Sequence, residues 1–176
     1  METAGKIKDP RNADDATPDI AELYETHYAH VYRAALRITG NPADAEDVLQ
    51  TVFFRVLGTS TQGEEWSAVC NPEAWFRRAA CNAAIDVLRR RMARAEVPVD
   101  DVSLELAIKP TALLKEQLRG AIAALDAEDA ELFSMRYIEG FSNGELADIF
   151  QQEKNNIAVR LHRIRQLLQM ELNGGL

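Results

Sequence analysis

The sequence predicts an all-α protein made of two small helical domains joined by a flexible linker. Apolar residues recur at helical spacing in almost every segment, no segment shows a convincing strand pattern, and helix-capping residues recur along the chain. The 176 residues, of which 47% are hydrophobic, suffice for one ordinary core or two small ones. We predict a disordered tail (residues 1–18), a first helical domain (19–94), a linker (95–112) and a second helical domain (113–172).

The composition excludes several classes of protein. The chain contains no run of about 18 apolar residues, the length that spans a membrane, and its N-terminus is polar where a secretory signal is apolar. We therefore expect a cytoplasmic protein without membrane insertion. Cys70 and Cys81 are neither two residues apart nor flanked by histidines, which predicts reduced thiols and no metal or cofactor. His27, His30 and His162 lack partners at catalytic or metal-ligand spacing, so we expect no enzymatic activity.

Charge is unevenly distributed along the chain. The formal net charge is -8, and residues 1–65 carry 12 acidic against 6 basic residues. Residues 71–94 instead carry 6 arginines against Glu73 and Asp86, a local net charge of +4. Contact with phosphate depends on the local patch, so an acidic chain can still bind a polyanion through this segment.

Two helices are predicted in the first 60 residues. Apolar residues at helical spacing predict a helix from Asp19 to Thr39. Asn41 and Pro42 supply an N-cap and a first-turn proline for a second helix, and we expect Gly58 to end it. The apolar stripe of the second helix consists of Ala45, Val48, Leu49, Val52, Phe53 and Val56.

The second helix also carries polar residues and one aromatic residue opposite its apolar stripe. Asp47, Gln50 and Phe54 project away from that stripe. An exposed phenylalanine beside polar groups either packs against a neighbouring helix or marks a docking surface for another protein. The residues alone do not decide between these alternatives.

A third helix is predicted to begin at Asn71 and Pro72 and to carry the most basic face of the protein. Its apolar face consists of Phe76, Ala79, Ala80, Ala83 and Val87. A projection at about 100° per residue places on the far side Arg78, Asn82, Ile85 and Arg89, followed by Arg90, Arg91 and Arg94. Arginine pairs with phosphates and asparagine bonds base edges or backbone, so this face predicts nucleic-acid binding, with a solvated arginine face as the alternative.

The loop before the third helix contains one large aromatic residue, Trp66. A tryptophan in a polar loop beside a basic helix can stack on an unpaired base, a contact worth about 1–3 kcal/mol. The alternative is that its ring anchors the loop to the domain.

The segment after the third helix predicts the linker. Residues 95–112 contain two prolines and four acidic residues without a sustained helical period. Two further helices are expected beyond it, from Leu113 to Leu125 and from Ala127 to Ile138, joined at Asp126.

The last two helices are predicted to form a helix-turn-helix. Ser142 and Glu145 match a capping box, so we expect a short helix from Asn143 and then a turn at residues 151–153. The following helix is expected to bury Ile157, Leu161, Ile164 and Leu168 and to present Lys154, Asn155, Arg160, His162, Arg163 and Arg165. The second helix of such a motif enters the major groove, but a plain helical hairpin shares the same apolar pattern.

The chain resembles the extracytoplasmic-function sigma factors, the small bacterial relatives of sigma-70 that keep only regions 2 and 4. The similarity covers about residues 20–170. Region 2 is matched by YRAALRITGNPADAEDVLQTVFFRVL and AWFRRAACNAAIDVLRRR, and region 4 by LDAEDAELFSMRYIEGFSNGELADIF followed by VRLHRIRQLL. Two motif sets in this order and at this spacing are more specific than either set alone.

The resemblance implies a transcription initiation factor that binds core RNA polymerase and directs it to promoters, region 2 recognising and melting the -10 element and region 4 reading the -35 element. It also implies an anti-sigma factor as a partner. The residues implied for core-polymerase binding are Asp47, Gln50, Thr51 and Phe54. Those implied for -10 DNA binding are Trp66, Arg78, Asn82, Asp86, Arg89 and Arg90. Those implied for -35 DNA binding are Lys154, Asn155, Asn156, Arg160, His162, Arg163 and Arg165.

Region 4 departs from the family pattern at two places. The turn usually contains glycine followed by an aliphatic residue, whereas Gln151 and Gln152 stand here, so we expect a looser or longer-capped turn. Ala158 and Val159 stand where many relatives have Lys or Arg followed by Ser. Either the -35 sequence is unusual and A·T-rich, or region 4 binds DNA weakly.

The presence of Ala158 and Val159 in the second helix of the helix-turn-helix supports an alternative function. In that alternative the chain is a sigma-like interaction protein that docks on polymerase or a regulator, with weak or lost -35 reading. An ordinary helix-turn-helix regulator would leave residues 20–94 unexplained. In a sigma factor, core polymerase supplies most of the basic surface and holds both domains at promoter spacing, so we expect the acidic free protein to bind promoters poorly.

Overall fold

The computed structural model describes residues 20–60, 71–95 and 110–174. These residues form seven α-helices and no strand, which confirms the all-α fold class. The helices are α1 (Ile20–Thr39), α2 (Pro42–Ser60), α3 (Pro72–Ala95), α4 (Pro110–Ala124), α5 (Ala127–Tyr137), α6 (Asn143–Phe150) and α7 (Lys154–Gly174). The predicted N-terminal tail, the loop with Trp66 and Cys70, and residues 96–109 of the predicted linker lie outside the described residues. None of the helices described is long and apolar enough to cross a membrane.

The first three helices form a bundle around a core of mostly small and β-branched side chains. The core residues include Val31, Ala34, Ala35 and Ile38 of α1, Val48, Val52 and Val56 of α2, and Phe76, Ala80 and Ala84 of α3. The ring of Phe76 stacks on His27 with centroids 4.4 Å apart and lies 5.2 Å from the ring of Phe53. The small side chains let the helices approach closely. Phe76 is the largest fully buried side chain of the bundle.

The two Asn-Pro pairs begin α2 and α3 as predicted. The side-chain oxygens of Asn41 and Asn71 accept hydrogen bonds from first-turn backbone N–H groups at 2.8 and 3.1 Å. Each proline occupies the first helical position, where a missing N–H costs the helix nothing. However, α2 continues past Gly58 to Ser60, because Gly58 does not adopt the positive φ with which glycine ends a helix.

The last four helices form a second unit, whose buried apolar side chains join those of the first bundle in one hydrophobic cluster. Its fully buried side chains include Leu132, Met135, Leu146, Ile157 and Ile164. Asp126 begins α5 as its N-cap, and its carboxylate accepts the backbone N–H of Asp129 at 2.8 Å. The start of α4 is three residues earlier than predicted, at Pro110, because proline suits the first turn of a helix as well as a linker.

The predicted helix-turn-helix is formed by α6 and α7. The Ser142 hydroxyl accepts the N–H of Glu145 at 3.2 Å, and the Glu145 carboxylate accepts the N–H of Ser142 at 2.7 Å. The hydrogen bonds from Ser142 lower the pKa of Glu145. Gln151 ends α6 in the left-handed conformation, with φ 51° and ψ 45°, and the N–H of Gln152 donates to Ala147 O at 2.9 Å. The expectation of a looser or longer-capped turn is therefore wrong, since Gln151 itself caps α6 in the conformation that glycine usually provides.

The two units pack against each other through α3, which contacts α4 and α5 as well as α1 and α2. Ile85, which the helical projection places on the far side of α3, is only 2% exposed. Leu88 and Cys81 are also buried. The far side of α3 is therefore not a free surface, because a second set of helices covers it. A projection that assumes one buried face cannot describe a helix packed on both sides.

Candidate functional site

The four residues predicted to bind core polymerase line one open groove between α2 and α3, of about 430 Å³. They are Asp47, Gln50, Thr51 and Phe54, and they share the groove with Asp44, Val87, Arg90, Arg91 and Arg94. The side chain of Phe54 is 67% exposed, so no helix in the described residues packs over it. The Thr51 hydroxyl donates to Asp47 O at 2.8 Å and is satisfied by its own helix.

The two walls of this groove carry opposite charge. The α2 wall contributes Asp44 and Asp47, and the α3 wall contributes three arginines. Arg91 bridges the walls, since its guanidinium lies 3.4 Å from the Asp44 carboxylate. An exposed aromatic ring surrounded by paired charges is typical of a protein-docking surface, in which one apolar anchor is rimmed by polar groups.

The predicted -10 residues within the described part of the chain lie on one side of α3, but two of them contact the second unit. Arg78 forms an ion pair with Glu131 of α5, and its guanidinium lies 5.2 Å from the centroid of the Phe150 ring. Arg89 donates to Ala123 O at 3.1 Å and to Leu125 O at 2.9 Å, at the C-terminal end of α4. These contacts were not foreseen from the sequence.

The other predicted -10 residues differ in their exposure. Asn82 is half-buried, whereas Asp86 and Arg90 are exposed. The carboxylate of Asp86 lies 3.9 Å from the guanidinium of Arg89, one turn along the same helix. Trp66 lies outside the described residues, so its role remains a prediction.

The exposed side of α7 carries most of the residues predicted to read the -35 element. Lys154, Asn155, Asn156, His162, Arg163 and Arg165 are all exposed. Ile157, Leu161, Ile164 and Leu168 are buried, which confirms the predicted apolar face. Val159 is 54% exposed and lies one turn from Asn155 and from Arg163. An apolar side chain therefore interrupts the polar surface of the helix.

Arg160 differs from its neighbours on α7, because it is half-buried and paired within the second unit. Its guanidinium contacts the carboxylates of Asp129, Glu128 (3.0 Å) and Asp126 (3.9 Å). Burial opposes its charge, but the hydrogen bonds to Asp129 and Glu128 outweigh that effect and raise the pKa of Arg160. This guanidinium links α7 to the first turn of α5. The link could not be predicted, because Arg160 and Asp129 are 31 residues apart in the sequence.

Sequence reasoning also missed a buried carboxylate between the two units. Glu139 follows α5, and its side chain is only 5% exposed. Its two oxygens lie 3.2 Å from Arg37 of α1 and 3.1 Å from Arg77 of α3. An acidic residue just past the C-terminus of a helix is unfavourable unless a cation pairs with it. The position of Glu139 directly after a predicted helix therefore indicated that it has a basic partner.

The described residues offer no group of three His, Cys, Asp or Glu side chains that could hold a metal ion. Cys81 is a free, fully buried thiol. Burial raises the pKa of Cys81, which makes the thiol unreactive. Cys70 lies outside the described residues.

Two family models match the chain, and their boundaries follow the two helical units. The model for sigma-70 region 2 matches residues 23–94, and the model for sigma-70 region 4 matches residues 115–168. The crystallised sigma factor RpoE, from its complex with the anti-sigma factor NepR of Bartonella quintana, has a similar fold, with a TM-score of 0.50 and 21% identity. The similarity covers 88% of this chain and 97% of that one.

Bacterial relatives are similar over most of the chain. The ECF RNA polymerase sigma factor SigE of Mycolicibacterium smegmatis is 31% identical over 175 residues, which are 94% of this chain and 66% of the relative. SigL of Mycobacterium tuberculosis is 28% identical over 85% of this chain and 86% of its own length. SigM of Bacillus subtilis is 28% identical over 89% of this chain and 96% of its own length. With both regions matched in order and such relatives along its length, the chain belongs to the extracytoplasmic-function group of the sigma-70 family.

Proposed function

We propose that the chain is a transcription initiation factor that binds core RNA polymerase and directs it to promoters. One observation carries the proposal: the chain combines an exposed aromatic docking groove with a helix-turn-helix whose second helix presents its polar residues to solvent. A DNA reader alone needs no such groove, and a docking protein alone needs no such helix. Its role is to recruit the enzyme, not to catalyse, and it acts in the cytoplasm.

The docking groove binds core polymerase through Phe54. This ring is the anchor that enters a pocket on the polymerase, because large exposed aromatic side chains at the centre of a patch carry most of the energy of such contacts. Asp47, Gln50 and Thr51 lie beside it along α2 and contribute polar contacts. The acidic and basic walls of the groove orient the partner and favour the correct encounter.

The basic side of α3 recognises and opens the -10 element. Arg78, Arg89 and Arg90 supply positive charge for phosphates, and Asn82 lies among them with both a donor and an acceptor. Trp66 belongs to the loop before α3 and supplies a ring for stacking on a flipped base. Opening DNA costs a few kcal/mol per base, which stacking offsets.

The exposed side of α7 reads the -35 element. Lys154, Arg163 and Arg165 are exposed cations suited to phosphate contacts, and Asn155 and Asn156 carry the amides suited to adenine edges. His162 is also exposed on this helix. Arg160 acts differently from the sequence-based expectation: it positions α7 by binding the carboxylates at the start of α5.

An anti-sigma factor is the regulatory partner that we propose for this chain. The sigma factor RpoE of Bartonella quintana, which shares the fold, was crystallised with the anti-sigma factor NepR. A partner of that class would compete with core polymerase for the exposed groove at Phe54, or with DNA for α3.

Run-off transcription tests the proposal. Core polymerase with and without the chain is offered a pool of genomic fragments from the source bacterium, and the transcripts are sequenced. We expect transcripts that depend on the chain and start downstream of one shared pair of sequence elements. Tight binding to core polymerase without any new transcript would contradict promoter direction.

A second candidate function has a specific observation in its favour. Val159 is 54% exposed in the middle of the α7 reading surface, and Ala158 beside it is exposed too. A helix with two apolar side chains there has fewer base-edge donors, so the chain could dock on polymerase without reading a -35 element. In the assay above, that protein would bind core polymerase, but the transcripts would share no -35 element upstream of their start sites.

A further inference from the structure

We propose that Val159 reads the 5-methyl group of a thymine in the -35 element, so that the chain prefers an A·T pair at the centre of its contact with that element. The proposal rests on the proposed function, in which α7 lies in the major groove and reads the -35 element. It gives a base-reading role to an apolar side chain that the start of α7 leaves exposed to solvent. The same side chain favours the second candidate function only if it contacts no base.

Val159 lies at the centre of the exposed side of α7, and its side chain is 54% exposed. The buried side of the helix consists of Ile157, Leu161, Ile164 and Leu168. At about 100° per residue, Val159 projects about 170° away from the mean direction of these four side chains. A groove that receives the exposed side of α7 therefore has Val159 at the middle of the contact.

Val159 also lies close to the start of the helix. The first residue of α7 is Lys154, so Val159 is the sixth residue and lies about 8 Å along the axis from the first. In a helix-turn-helix, the N-terminal residues of the second helix contact base edges in the major groove. Both its direction and its position along α7 therefore place Val159 among the residues that reach bases.

The polar side chains beside Val159 suit A·T pairs. Asn155 and Asn156 precede it by four and three residues and are exposed, so each lies within one helical turn of it, about 5–6 Å away between Cβ atoms. Asparagine bonds the N6 and N7 atoms of adenine, and the paired thymine presents its 5-methyl group in the same groove. Successive bases are about 3.4 Å apart along each strand, so Val159 can contact a methyl group in the A·T pair that an asparagine reads or in the next pair.

The arginine next to Val159 is not available to read guanine. Guanine is most often recognised by an arginine or lysine that reaches its N7 and O6 atoms. Arg160 is the only arginine among residues 154–161, and its guanidinium is held by the carboxylates of Asp129 and Glu128 of α5. The side chains at the centre of the reading surface are therefore two amides and a valine, a combination that fits adenine edges and thymine methyl groups better than G·C pairs.

Uracil substitution tests the contact without any change in the protein. Core polymerase saturated with the full-length chain first selects duplex DNA in which the -35 region is randomised. Each thymine of the selected element is then replaced singly by deoxyuridine, which lacks only the 5-methyl group, and fluorescence anisotropy measures binding of the holoenzyme. We expect uracil at one position to weaken binding about fivefold, because one methyl group is lost from an apolar contact.

A serine variant tests the protein side of the same contact. Holoenzyme that carries Val159→Ser should bind the thymine and uracil duplexes equally, and in the selection it should lose the thymine preference at that position alone. The matched control is Leu167→Ala, which also removes an exposed apolar side chain (46%) from α7, two turns further along the helix. The control should respond to uracil as the parent does.

The outcomes separate the thymine contact from the proposed function. A uracil effect at one position that Val159→Ser abolishes and Leu167→Ala retains supports the contact. A selected element that is insensitive to uracil at every position would refute the contact, and so would a uracil effect that persists in Val159→Ser or disappears in Leu167→Ala; promoter selection itself would stand in each case. Failure of the holoenzyme to select any -35 sequence would refute the reading of that element by α7, and the thymine contact with it.

Discussion

Replacement of Phe54 by alanine tests the docking groove most directly. A phenylalanine side chain has about 200 Å² of surface to bury, and 67% exposure leaves about 130 Å² available to a partner. At about 25 cal/mol per Å², burial of that surface contributes about 3 kcal/mol to binding. The remaining area, about 70 Å², is already buried within the chain, so its loss lowers the folding stability by about 1.8 kcal/mol.

We therefore expect Phe54→Ala to weaken binding to core polymerase by about 100-fold while the chain stays helical. Fluorescence titration of labelled chain with core polymerase measures the affinity. Tyr28→Ala is the matched control, because Tyr28 is an exposed aromatic residue of the same bundle (46%) that does not line the groove. Equal affinities for parent and Phe54→Ala, or an equal loss in Tyr28→Ala, would refute the assignment of the docking anchor.

Three further predictions concern stability and DNA binding. Gln151→Gly should raise the free energy of unfolding by about 1 kcal/mol in urea titrations, because glycine adopts the positive φ at this turn without strain. Burial, and then the proximity of His30, lower the pKa of His27 below its usual 6.5, so the unfolded chain binds a proton that the folded chain does not. Stability should therefore fall as the pH drops below 6.5, and His27→Gln should flatten that dependence in melts across pH. In the holoenzyme, Arg163→Ala should weaken binding to all promoters alike and reduce the salt slope by about one unit, whereas Asn156→Ala should change the preferred -35 sequence in a binding selection.

Local signals in the sequence were sufficient for the helices and for the side of α2 on which Asp47, Gln50 and Phe54 lie. The Asn-Pro pairs at residues 41 and 71 cap α2 and α3 because a side-chain oxygen and a proline act within one turn. Asp47, Gln50 and Phe54 lie on one side of α2 for an equally local reason, the helical period. The sequence could not show that Phe54 is exposed, since that depends on where the other helices pack.

The contacts between the two units could not be predicted from the sequence. Glu131 and Arg78 are 53 residues apart, and Glu139 and Arg37 are 102 residues apart. Such pairs depend on the packing of α3 against α5, which no local pattern reports. The turn at Gln151 was missed for a different reason: the local sequence, which lacks the usual glycine, predicted that the turn is not tight. Backbone hydrogen bonds from the N–H groups of Gln151 and Gln152 to carbonyls of α6 close the turn, although glutamine disfavours this conformation.

The position of α3 at the centre of the molecule limits how freely its sequence can change. Ala80 and Ala84 must stay small for the bundle, Ile85 is buried on the opposite side, and Arg78 and Arg89 hold the second unit. A substitution in α3 therefore disturbs the first bundle and its contacts with the second unit together. In a saturation mutagenesis screen, intolerance along α3 will reflect packing on both of its sides, whereas intolerance on the exposed side of α7 will indicate a role other than packing.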